Sequence, residues 1–145
     1  MFKFLFLFVL SSWQLVHACS CAQWGSPAEM LKDADGAFLV IPANDSVSIG
    51  RDNEWGEDLM ETTFSVIRSY KGPRSNAINV RSVKDTGGNC GMSFVENESI
   101  WLIFTYQENG VHHSNGCMVS GAQSDEDIAF IRGLNGLLKD QDETF

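Results

Sequence analysis

Four cysteines, Cys19, Cys21, Cys90 and Cys117, constrain this chain of 145 residues more than any other feature. Cys19 and Cys21 are poorly placed to bridge each other, so an oxidised chain forms two long-range disulfides, one from each of them to Cys90 or Cys117. Either pattern closes loops of roughly 70 to 100 residues and contributes about 4 kcal/mol per bridge by restricting the unfolded chain. The rival use of four thiolates is a structural zinc site. Such sites favour paired Cys-x2-Cys knuckles, and only one close pair exists here.

Whether these thiols oxidise depends on the compartment, and residues 1–18 address that. Lys3 supplies a positive start, residues 4–10 are an unbroken apolar run, and Val16-His17-Ala18 has small residues at the −3 and −1 positions. This is the pattern of a secretory signal. A membrane-spanning helix needs about twenty apolar residues, and Ser11, Ser12 and Gln14 interrupt this run too early. The expectation is a signal peptide at 1–18 and one exported domain at 19–145, starting at Cys19. Small residues before a cysteine also resemble the bacterial lipoprotein signal, in which the cysteine is lipidated and its amine acylated. His17 fits that pattern badly, but it keeps open a periplasmic or outer-membrane lipoprotein anchored at Cys19.

Nineteen Asp and Glu against ten Lys and Arg give a formal charge of −9. A nucleic-acid binder needs a basic face to neutralise phosphates, so that class is excluded. Anionic membrane surfaces are a poor partner on the same ground, and membrane attachment is expected only through a lipidated Cys19.

Ser26-Pro27-Ala28-Glu29 is a capping box with proline at the first helical position, and it predicts a short helix over 27–34. Strands are predicted at 37–42 (AFLVIP), 60–70 (METTFSVIRSY), 77–83 (AINVRSV) and 99–106 (SIWLIFTY), the last apolar on both faces and therefore central. Asn109-Gly110 is a strong hairpin signal, with a returning strand over 111–119. Residues 43–58 read as a long acidic loop carrying Trp55. Ser124 with Asp127 is another capping box, and Ile128, Ile131, Leu134, Leu137 and Leu138 repeat at helical spacing behind it. The predicted class is all-β, with five strands closed into a small barrel between a short and a longer helix.

Several residues at this point match a known family. An N-terminal Cys19-Ser20-Cys21, a strand ending in Tyr70-Lys71-Gly72, Cys90-Gly91 with Phe94 close behind, and a strand entering Cys117 after Gly110 are shared features. The mature chain resembles the inhibitory N-terminal domain of tissue inhibitors of metalloproteinases, in the netrin-like group, as a short bacterial-type member. The resemblance implies an OB-fold barrel with disulfides Cys19–Cys90 and Cys21–Cys117. The family's third disulfide has no counterpart, and Gln23 stands where the family usually has proline.

The resemblance also implies a mechanism. The α-amine and carbonyl oxygen of Cys19 would chelate the zinc of a target metalloprotease and displace the water that zinc activates. Ser20 would enter the pocket for the substrate residue after the cleavage site, and Cys21, Ala22 and Gln23 would continue along the cleft. Thr86, Gly87, Gly88 and Asn89 would lie on the other side. The implied protein is a secreted monomeric inhibitor of zinc metalloproteases, with no cofactor, no resident metal and no catalytic activity. The alternative is a non-inhibitory netrin-like binding module in which Cys19 and Cys21 only pin the N-terminus. The loop with Trp55 is a candidate second contact surface. His112 and His113, as strand neighbours, point to opposite faces and cannot readily share an ion; both are expected to be exposed. Asn44-Asp45-Ser46 and Asn97-Glu98-Ser99 fit the glycosylation sequon.

Overall fold

The computed structural model describes residues 21, 25–51, 56–87 and 89–142. Along the chain these form α1 (Pro27–Asp33), β1 (Gly36–Pro42), β2 (Val47–Arg51), β3 (Asp58–Lys71), β4 (Ala77–Val83), β5 (Trp101–Glu108), β6 (Val111–His113), β7 (Val119–Gly121) and α2 (Asp125–Asp142). The predicted signal at 1–18, Cys19 and Trp55 lie outside the described residues. Among those described, no helix is long and apolar enough to cross a membrane.

The architecture is a closed barrel of five strands in the order β1–β3–β4–β6–β5, with β5 pairing back onto β1. All barrel pairings are antiparallel except β4 with β6, which run parallel through Val80–His112 and Arg81–His113. Register shifts in β1, between Ala37 and Phe38 and between Leu39 and Val40, mark irregularities against β3. Irregularities of this kind bend and twist a strand, which a barrel of so few strands requires.

β1 and β5 are apolar on both faces because each face meets a different core. Phe38, Val40 and Ile103 point into the barrel with Phe64, Ile78, Val80, Met92 and Phe94. Ala37, Leu102 and Phe104 point outward, beneath a second layer formed with Ala34, Tyr70 and Leu134 and flanked by Met30, Phe130, Ile131 and Leu138. Full burial of a side chain the size of Phe38 contributes about 2–3 kcal/mol. α2 thus packs over one face of the sheet.

Both helices start on the predicted capping boxes. The Ser26 hydroxyl accepts from the Glu29 N–H at 3.3 Å, while Glu29 accepts from the Ser26 N–H at 2.7 Å. The Ser26 N–H and hydroxyl hold the Glu29 carboxyl below its usual range. At α2 the Ser124 hydroxyl accepts from the Asp127 N–H at 3.1 Å. Burial raises the Asp127 carboxyl, but hydrogen bonds from the Ser120 and Ser124 hydroxyls outweigh it and leave the group lowered. Asn109 and Gly110 both take positive φ, 52° and 78°, as a two-residue hairpin turn of the primed kind demands.

Two expectations are corrected. Residues 43–58 are not all loop: Val47–Arg51 pair with the first residues of β3, which begins at Asp58 rather than 60. The strand is exposed throughout, so no burial pattern announces it. The returning strand over 111–119 is two short strands, because Asn115 and Gly116 turn the chain between them: the Met118 N–H donates to the Asn115 carbonyl at 2.8 Å. β6 then pairs with β5 on one side, and β7 pairs with β5 further along.

Candidate functional site

The rim of the barrel beyond β4 gathers the distant cysteines. Leaving β4, Lys84 donates its N–H to the Asp58 carbonyl at 2.8 Å, which ties the 84–91 segment to the start of β3. On the other side the Gly116 N–H donates to the Cys90 carbonyl at 2.7 Å, joining that segment to the turn before Cys117. The Cys117 N–H is in turn held by the Asn115 side-chain carbonyl at 2.9 Å. Cys90 and Cys117 therefore meet through backbone geometry, not through their sulfurs alone.

Cys21 is bonded to Cys117, with the Cα atoms 5.2 Å apart. Cys90 is also disulfide-bonded, and its sulfur lies 3.6 Å from that of Cys117. The sulfurs of Cys21, Cys90 and Cys117 all fall within 4.8 Å of one another. A cluster of that size matches a metal site, but all three cysteines are disulfide-bonded, which leaves none of their thiolates to a metal.

Around this cluster lies a concavity of about 340 Å³ lined by Cys21, Asp85, Gly87, Asn89, Cys90, Gly91 and Gly116. Its shape is set by Asn89. The Asn89 amide nitrogen donates to the Glu57 carboxylate at 2.9 Å and to the Lys84 carbonyl at 2.8 Å. Its carbonyl oxygen accepts from the Thr86 N–H at 3.0 Å and the Gly91 N–H at 3.4 Å. Asp85 adds a turn of its own by accepting from the Gly87 N–H at 2.7 Å. Gly91 is the point of closest backbone approach: a Cβ there would sit 2.4 Å from the Lys84 carbonyl oxygen.

Of the residues singled out from sequence, Cys21, Gly87 and Asn89 are brought together at this concavity, and the exposed Thr86 sits between its lining residues Asp85 and Gly87. Cys19, Ser20, Ala22, Gln23 and Gly88 lie outside the described residues, and with them the pairing Cys19–Cys90. Asn89 commits its amide to the loop and to Glu57, so it shapes the surface and offers little of its own polarity to a partner. Sequence reasoning missed Asp85, Glu57 and the Asn115-Gly116 turn. The last was readable as a second Asn-Gly pair.

The two histidines do differ in face, but His112 is buried, against expectation. Its Nδ1 lies 2.9 Å from the Thr105 hydroxyl, its Nε2 lies 3.2 Å from the Gln107 amide nitrogen, and Phe38 packs edge-on against the ring. The barrel closes over it where β6 pairs with β4. His113 instead stacks on Tyr106, with ring centroids 5.4 Å apart. Of the two sequons, Asn44 has its side-chain carbonyl engaged by the Thr63 N–H at 2.8 Å, whereas Asn97 sits in an exposed turn with φ of 55°.

No family model matches the chain, and no curated protein matches it.

Proposed function

We propose that this chain is a secreted inhibitor of zinc metalloproteases built on a netrin-like OB-fold barrel. In this reading the α-amine and carbonyl oxygen of Cys19 chelate the target's catalytic zinc. The observation that supports it most is the Cys21–Cys117 disulfide beside the Asp85–Asn89 loop. A segment two residues beyond the expected mature start is thereby tied to the rim that carries the second contact loop.

The chemistry is consistent with that task. A neutral α-amine is a competent zinc ligand, and a free one titrates near 7.7–8.0, so binding releases about one proton. Occupying the open zinc position removes the water that the enzyme would activate. Covalent anchoring of the terminus lowers the ordering cost of association. Ser20 is small enough to enter many pockets while filling none well, which gives broad and moderate selectivity.

The test is a comparison of the naturally exported protein with a variant carrying one extra alanine before Cys19. Intact mass first establishes whether the chain begins at an unmodified Cys19. Inhibition of a zinc metalloprotease by the exported protein and its loss in the extended variant support the mechanism. An acylated Cys19, a different start, or no inhibition by either protein overturns it and leaves the non-inhibitory binding module, while equal inhibition by both overturns chelation through the Cys19 amine.

A further inference from the structure

At the far end of β3 from the cysteine cluster lies a second, larger concavity of about 620 Å³. It is formed by residues 66–72, residues 74–76 of the turn into β4, and Leu138 of α2. Three of the chain's ten basic residues, Arg68, Lys71 and Arg74, line it, and among the described residues no carboxylate does. In a chain of formal charge −9, three cations in one concavity run against the overall charge.

Among the described residues, none of these three cations is neutralised by a carboxylate, in contrast to Arg51 and Arg81. Arg51 is paired with Asp58 and Arg81 with Glu61. Among the described residues, Arg68, Lys71 and Arg74 have no carboxylate within ion-pair distance. The Lys71 ammonium donates to the Leu31 carbonyl at 2.6 Å and so closes the C-terminal end of α1. The Arg68 guanidinium lies 5.8 Å from the centre of the Tyr70 ring, a contact that orients it while leaving its donor edge available. Arg74 is exposed on the turn, and Ser69, Ser75 and Asn76 add neutral polar groups to the same walls.

We infer that this concavity binds a compact ligand carrying two or more sulfate or phosphate ester groups. Guanidinium groups match such oxyanions with paired N–H donors, and the volume suits a ligand of sugar size. The acidic remainder of the surface argues for a compact anion, because an extended polyanion or an anionic bilayer would meet repulsion beyond the concavity. The site lies apart from the cysteine rim, so the inference does not rest on the inhibitor reading.

The experiment is titration calorimetry of the full mature chain with sucrose octasulfate and with inositol hexakisphosphate. Saturable binding of one or both is expected, and the tighter probe identifies the ester. Arg68→Gln and Arg74→Gln should each weaken binding about tenfold, with the double variant additive and its thermal melt unchanged. Lys71 is left intact because it supports α1. Arg51→Gln and Lys84→Gln, outside the concavity, should bind as the parent does. The inference is overturned by no saturable binding, by equal losses in the Arg51 and Lys84 variants, or by tighter association with vesicles rich in anionic lipid than with either probe.

Discussion

The sulfur of Cys117 lies 3.6 Å from that of Cys90, although its covalent partner is Cys21. Two bonded cysteines are thus held within reach of exchange by the backbone link from Gly116 to Cys90. A thiolate attacks a neighbouring disulfide sulfur readily when access is this direct. Cys21→Ser should therefore not leave a stable free Cys117 thiol. The Cys117 thiolate would attack the Cys90 sulfur, break its existing disulfide and release the former partner of Cys90 as a thiol. Peptide mapping without reduction should therefore recover a Cys90–Cys117 bridge and one free thiol elsewhere in the single variant. Cys21→Ser/Cys117→Ser should keep the remaining disulfide unscrambled and lose about 2–4 kcal/mol of stability in urea. A single variant that retains its parental Cys90 linkage would contradict the exchange.

Asn89 and Thr86 divide the loop beside that cluster into a support and a surface. Asn89 makes four hydrogen bonds within its surroundings, whereas Thr86 enters them only through its N–H. Asn89→Ala should cost about 1–3 kcal/mol and weaken any contact made by the loop. Thr86→Ala should leave stability within about 0.5 kcal/mol of the parent while still changing affinity for a partner seated there. Urea denaturation alongside a binding or inhibition assay separates the two. Equal loss of stability in both variants would mean that Asn89 is not the support.

Where the sequence could be read, a residue's neighbours in the chain carried the information. The run at 102–105 is buried on both faces, as the apolar strand around it suggested, and each capping box is complete within four residues. β2 was invisible because Val47 and Ile49 are exposed, at 51% and 40%, so their alternation reflects pairing with β3 and no burial. The split between β6 and β7 was missed although Asn115-Gly116 marks it, since the Asn109-Gly110 hairpin was given a single returning strand. The candidate site was legible in its cysteines and not in its supports. Asn89 reaches Glu57, 32 residues away in sequence, and only the closed barrel brings the two together.

Two glycines of α2 separate helix propensity from helix packing. A Cβ on Gly133 would lie 2.8 Å from the Pro27 ring, where α1 crosses α2, while one on Gly136 would meet nothing within 4 Å. Replacing a helical glycine by alanine in open space stabilises by about 0.5–1 kcal/mol. Gly136→Ala should show that gain. Gly133→Ala should lose it and cost about 1 kcal/mol or more, because the proline ring is fixed at the start of α1 and cannot turn aside. The comparison is a pair of thermal melts. A stabilised Gly133→Ala would show that the two helices are free to separate.

His112 gives the barrel a predictable acid dependence. Burial is the main cause holding its imidazole below the ordinary 6.5; the Asp35 carboxylate opposes this and His113 adds to it. The unfolded chain therefore takes up the proton at higher pH than the folded one. The stability contributed by the neutral ring is fully present above about pH 6.5 and is lost as pH falls through the folded value, with a slope of at most about 1.4 kcal/mol per pH unit. The midpoint of urea unfolding should fall between pH 7.5 and 5.0 in the parent. His112→Gln, which keeps a polar group near Thr105, should cost about 1–2 kcal/mol at pH 7.5 and flatten that fall. An equally steep decline in the variant would assign the acid sensitivity to the carboxylates instead, and the Thr105–His112 pair would then be a packing contact whose protonation state does not matter.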